Sequence, residues 1–102
     1  NKIFSYQLES LGKKNDLLIL ISSSGNSKNL VYALNSAKKI KMKSISFVGF
    51  KGGKLLKLSD LSLHTKIDNY GISEDAAQIF MHVIIQFIRQ KNLNLKSEKI
   101  KF

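Results

Sequence analysis

Hydrophobic and polar positions along the chain change period several times, and each change marks an element. Phe4, Leu8 and Leu11 stand at helical spacing in a lead-in that runs to about residue 14, read as a short helical or irregular segment. Asp16 then opens Leu17-Leu18-Ile19-Leu20-Ile21, apolar on both faces. That is the pattern of a strand buried on both sides, as in a parallel sheet covered by helices. The run ends in a small-residue turn, Ser22-Ser23-Ser24-Gly25-Asn26-Ser27, after which Leu30, Val31, Leu34 and Ala37 follow helical spacing to about Ile40, with Lys28, Lys38 and Lys39 facing away. Residues 44–49 read as a second strand, at a distance from the first that suits a right-handed βαβ crossover.

Further on, Gly52-Gly53-Lys54 turns into a short helix near Leu55 and Leu58. Residues 61–67 alternate, with Leu61, Leu63, Thr65 and Ile67 on one face and Ser62, His64 and Lys66 on the other. The expectation is a third strand whose polar face is partly wet, with His64 merely solvated. Ser73 and Glu74 occupy the N-cap and first turn of a long helix over residues 74–90. Its apolar set, Ala76, Ala77, Ile79, Phe80, Val83, Ile84, Phe87 and Ile88, is too wide for a surface helix and calls for burial against the sheet and a partner. The lysine-rich tail after Asn92 is expected to fray. The order predicts an α/β fold, a three-layer α/β/α arrangement with a parallel, doubly wound, flavodoxin-like sheet. Three strands are few for such a sheet and the chain opens at Asn1 rather than a methionine, so a single domain, incomplete in this chain, is expected.

Composition narrows the chemistry. The 102 residues include no cysteine, which excludes a disulfide scaffold, a thiolate nucleophile and a cysteine zinc site, and fits a reducing, cytoplasmic setting. The longest apolar run is too short to span a bilayer, and no basic segment followed by an apolar one opens the chain, so no membrane partner is expected. The net charge of +10 raises nucleic acid as a partner. Against it, arginine, the usual base-reading cation, occurs only as Arg89, and the lysines are spread along the chain. The charge is therefore read as composition bias and nucleic acid is set aside.

Where a buried strand meets a helix, backbone N–H groups and the helix dipole favour an anion, and in an open parallel sheet this carboxyl end of the strand is where ligands bind. The serines of the turn add hydroxyl donors, and Gly25 lets the backbone close around a phosphate. No Gly-Lys-Ser/Thr ending is present, which argues against a nucleotide triphosphate loop and against a nucleotide cofactor. On spacing alone the anion site has a modest edge over a serine-rich turn with Ser24 or Asn26 as helix cap. On the last helix, Glu74 and His82 are eight residues apart, roughly 80° around the axis and about 12 Å along it. They face one broad cleft without touching. Gln78 and Gln86, each four residues from His82, extend a slanting polar stripe that points to a site or a subunit interface. Taken alone, His82 reads as a core histidine bonded to a carbonyl, Glu74 as helix-capping chemistry, Lys54 as a surface lysine, and Asp60 and Asp75 as turn and first-turn charges.

The run from Asp16 to Ser27 resembles the signature of sugar isomerase (SIS) domains, a strand ending in Ser-x-Ser-Gly-x-Ser/Thr. Val48-Gly49-Phe50-Lys51-Gly52-Gly53-Lys54, with Ser59-Asp60 after it, is similar to the Gly-x-x-Gly-Gly-Lys…Ala-Asp stretch of the phosphoheptose isomerases. The register covers about Phe4 to Gln90 and corresponds to the C-terminal half of that family. The resemblance implies that Ser22, Ser23, Ser24 and Ser27, with Gly25 and Asn26, cradle a substrate phosphate. It also implies that an N-terminal helical half carrying a histidine and a glutamate is missing here. His82 matches the family histidine of the last helix, while Glu74 stands where the family has glutamine. Several members hold zinc with these four groups, which makes Glu74 and His82 candidate zinc ligands, and members are homotetramers.

The resemblance thus implies an aldose–ketose isomerase that converts sedoheptulose 7-phosphate to D-glycero-D-manno-heptose 7-phosphate through an enediol, on the route to the lipopolysaccharide core. His82 and Glu74 would be its catalytic groups, and this chain would be inactive by itself. The alternative is a non-catalytic SIS domain that senses a sugar phosphate in a regulator or binds the replication initiator protein, a reading kept open by the carboxylate at position 74.

Overall fold

The computed structural model describes residues 2–93. Its elements run α1 (Ile3–Leu11), β1 (Leu17–Ser22), α2 (Lys28–Ile40), β2 (Lys43–Val48), α3 (Gly53–Leu58), β3 (Leu61–His64) and α4 (Tyr70–Leu93). The strands form one parallel sheet in the order β1-β2-β3, with Ile21 beside Phe47 and Ser22 beside Val48, then Phe47 beside Leu63 and Val48 beside His64.

The core lies on one face of this sheet. Leu20, Ala33, Leu34, Val48 and Leu55 form a buried cluster, with Leu34 and Leu55 at 0% exposure, so α2 and α3 cover the same face. Neighbouring strand residues point to opposite faces. Phe47 therefore points away from that core, and its ring meets Phe80 of α4 with centroids 5.9 Å apart. Helices thus lie on both faces, the expected three-layer, doubly wound arrangement. Beside them, α1 packs Leu8 against the core cluster and is tied to α2 by Ser36 Oγ donating to Glu9 Oε1 at 3.1 Å.

Three expectations are corrected. The strand over residues 61–67 ends at His64, because Ile67 N–H turns back to Thr65 O at 2.8 Å while Ile67 O accepts Phe50 N–H at 3.0 Å. Its polar face is not the wet one. Ser62 shares a 2.8 Å hydrogen bond with Ser46, whose hydroxyl also reaches Leu55 O under α3, whereas apolar Leu61 on the other face is 56% exposed. The last helix starts at Tyr70 rather than Glu74. Asn69 caps it, its Oδ1 accepting Ile72 N–H at 3.0 Å, and Ser73 is a buried residue inside the first turn. On α4 only Ser73 and Ala77 are buried, while Ile79, Val83 and Phe87 are 60%, 57% and 62% exposed. Most of the lysine-rich tail lies outside the described residues.

Candidate functional site

β1 delivers the serine turn to the carboxyl end of the sheet, and the hydrogen bonds within the turn decide what each hydroxyl can do. Ser22 Oγ accepts Gly25 N–H at 3.0 Å and Ser24 Oγ accepts Asn26 N–H at 3.2 Å. A hydroxyl that accepts from the backbone keeps its own proton to donate. Ser22 and Ser24 can thus donate to an anion, and Ser23 makes no side-chain hydrogen bond among the described residues. Ser27 is different, because its hydroxyl bonds Asn29 Oδ1. It is the N-cap residue of α2 but makes no side-chain cap bond, and no acidic residue occupies the first turn of that helix. The N–H groups at the start of a helix have no intrahelical acceptors. With the cap unused, those of Lys28 and Asn29 are available to a phosphate.

The turn is moulded against the loop between β2 and α3. Gly49 N–H donates to Ser23 O at 2.8 Å, Lys54 N–H to Asn26 Oδ1 at 2.9 Å, and Leu55 N–H to Gly25 O at 2.9 Å. Gly25 has φ 70, and a Cβ there would lie on the Gly52 carbonyl, 2.6 Å from its carbon. Only glycine satisfies both the left-handed backbone and the lack of room. Asn26 therefore spends its carbonyl oxygen on the scaffold, and Lys54 contributes through its backbone. The Gly-Gly-Lys stretch is thus the support of the serine turn.

On α4, Glu74, Gln78 and His82 recur every four residues and line one open cavity of about 470 Å³ together with Ala77, Met81 and Ile21. Ile21 immediately precedes Ser22, but no residue of the serine turn itself lines the cavity. Glu74 and His82 are both exposed, and His82 is not a core histidine bonded to a carbonyl. Among the described residues no three His, Cys, Asp or Glu side chains gather where one metal ion would bind.

The other candidate residues stand elsewhere. Asp60 Oδ2 accepts both Ser44 N–H, at 2.9 Å, and the Ser44 hydroxyl, at 3.2 Å, so this turn charge ties β3 to β2. Asp75 is exposed in α4. His64, expected to be solvated, is half-buried with Nε2 2.7 Å from Phe50 O. The residues not singled out beforehand, Ile21, Met81 and Asn29, are ordinary in the sequence and join the site only through the fold.

The chain matches the family described as SIS domain over residues 1–86, a span that includes the serine turn, Glu74 and His82. It is 39% identical over 89 residues to the phosphoheptose isomerase of Helicobacter pylori (strain ATCC 700392 / 26695), covering 87% of this chain and 46% of that protein. A solved phosphoheptose isomerase from Francisella tularensis superposes with a TM-score of 0.84 at 30% identity, covering 87% of this chain and 48% of the other. One from Neisseria gonorrhoeae gives 0.83 at 29%, covering 85% and 49%. The chain spans about half the length of the curated relatives it matches. With the serine turn, its glycine-rich support and the parallel sheet all inside the matched span, the chain belongs to the SIS-domain family.

Proposed function

We propose that this chain supplies the phosphate-holding turn and the acid–base helix of a phosphosugar aldose–ketose isomerase that converts sedoheptulose 7-phosphate to D-glycero-D-manno-heptose 7-phosphate, a precursor of the lipopolysaccharide core. The observation that carries the reading is the single cavity that Glu74 and His82 share with Ile21, one residue before the serine turn. The names of the relatives support the substrate.

The reaction takes a proton from C1 of the ketose, develops negative charge on the C2 oxygen, returns a proton to C2 and moves a hydroxyl proton from O1 to O2. In this reading Ser22, Ser23, Ser24 and the first amides of α2 hold the phosphate, which fixes the sugar without taking part in the chemistry. His82 moves the carbon-bound proton, and Glu74 takes the hydroxyl proton. Zinc is the alternative role for the same pair, with the Glu74 carboxylate and the His82 imidazole as two ligands in place of those proton transfers. A catalytic zinc site draws about three protein ligands, so this pair fits part of a site, and no step here depends on the ion. A homotetramer with the exposed apolar side of α4 at a subunit interface, in the cytoplasm, completes the proposal.

The test is turnover of sedoheptulose 7-phosphate by the full-length protein, wild type against His82→Ala. General acid–base catalysis contributes about 10²–10⁴-fold, and a loss of that order is expected. Undiminished turnover in the variant refutes the assignment. The carboxylate at position 74, where the family has an amide, favours the second reading, a domain that binds a sugar phosphate without converting it; phosphate binding with no turnover in the wild type would establish that one.

A further inference from the structure

The His64 imidazole takes no part in the steps above, yet its bond holds a joint of the site. It ends β3 with Nε2 2.7 Å from the Phe50 carbonyl oxygen. A carbonyl only accepts, so Nε2 carries the proton. Phe50 has φ 45, a left-handed conformation that bulky residues seldom adopt and that its surroundings must hold in place. Those surroundings are His64 on its carbonyl, Ile67 O on its N–H at 3.0 Å, and the Tyr70 ring against its own, with centroids 4.8 Å apart.

The loop carrying Phe50 touches both parts of the site. Toward the serine turn it makes the bonds from Gly49 to Ser23 and from Lys54 to Asn26. Toward α4, a Cβ added at Gly49 would lie 2.8 Å from Ser73 Cβ, and Tyr70 stands one turn before Glu74. We propose that His64 is a positioning residue: its Nε2–H bond to Phe50 fixes the loop over residues 49–54, and through that loop the serine turn and the turn of α4 that carries Glu74. The proposal rests on the serine turn being the phosphate site.

The experiment titrates inorganic phosphate into the full-length protein by calorimetry, with far-UV circular dichroism to establish that each variant is folded. Glutamine carries its amide nitrogen as many bonds from Cβ as Nε2, asparagine is one atom shorter, and leucine fills space without a donor. His64→Gln is expected to keep the phosphate Kd within about twofold, and His64→Leu and His64→Asn to weaken it about three- to tenfold, the worth of one neutral hydrogen bond. Ser23→Ala and Ser24→Ala should weaken it as well. His64→Asn keeps a polar group and serves if the leucine variant does not fold. A folded donorless or short variant with wild-type Kd overturns the proposal, as does a glutamine variant as weak as those two. Serine variants weakened beside unchanged His64 variants strike at His64 alone. Serine variants that bind like wild type overturn the phosphate reading of the turn, and the role of His64 falls with it.

Discussion

Replacing Gly25 with alanine tests the claim that the serine turn and the Gly49–Lys54 loop are one interlocked unit. Two costs add. The residue sits at φ 70, where a side chain costs about 1–2 kcal/mol. The new Cβ would lie on the Gly52 carbonyl, 2.6 Å from its carbon and 3.2 Å from Gly53 N, all backbone atoms that no rotamer change can move aside. The two loops must separate, which breaks the bonds from Leu55 N–H to Gly25 O and from Lys54 N–H to Asn26 Oδ1. At about 0.5–1.5 kcal/mol for each bond, the expected loss is roughly 2–5 kcal/mol. The control is Gly71→Ala, because Gly71 lies in the exposed first turn of α4 and a Cβ there meets only Asn69 Oδ1, at 3.5 Å. That change should be neutral or stabilise by up to about 1 kcal/mol. Urea unfolding of the full-length protein gives both values from the shift in midpoint at constant slope. A Gly25→Ala loss below about 1 kcal/mol, or one equal to that of Gly71→Ala, would refute the interlocking.

Two further outcomes are expected. Ser59 Oγ is buried without a hydrogen-bond partner among the described residues, so Ser59→Ala should stabilise by about 1 kcal/mol in the same denaturation assay, and a destabilisation of that size would show that the hydroxyl has a partner. Ile79 is 60% exposed on the apolar side of α4 proposed as a subunit contact, so Ile79→Glu should lower the assembled mass of the full-length protein in light scattering; an unchanged mass at micromolar concentration would place the contact elsewhere.

Much of the fold was legible from local pattern. The run of five apolar residues after Asp16 announced the strand but not its covering, since Leu17 and Ile21 stay 52% and 50% exposed on one face, and Leu30, Leu34 and Ala37 announced the helix beside it. The errors lie where a pattern is ambiguous about what covers it. Alternation placed Ser62 and His64 on one face of β3 and Leu61 and Leu63 on the other, but gave no sign that α3 would cover the polar face. Hydrogen bonds to Ser46 and to Phe50 O make that burial tolerable. The start of α4 was misplaced by one turn because Gly71 is a poor helix former, so Ser73 looked like the cap that Asn69 provides.

The site divides in the same way. The serine turn was visible because its chemistry is contiguous, six small or polar residues between a strand and a helix. Glu74 and His82 were placed near one another by helix geometry alone. Their cavity with Ile21 was not visible, because Ile21 and Glu74 lie on elements far apart in the sequence and meet only once α4 crosses the sheet.

By itself the sequence determined which residues share a face and the order of the elements, because side-chain period is a local property. The tertiary structure alone decided that Gly25 lies against Gly52, that Asn26 holds Lys54, and that His64 reaches Phe50. Each of those contacts joins segments on either side of a crossover, and their distance depends on how helices and sheet stack, which no local period encodes.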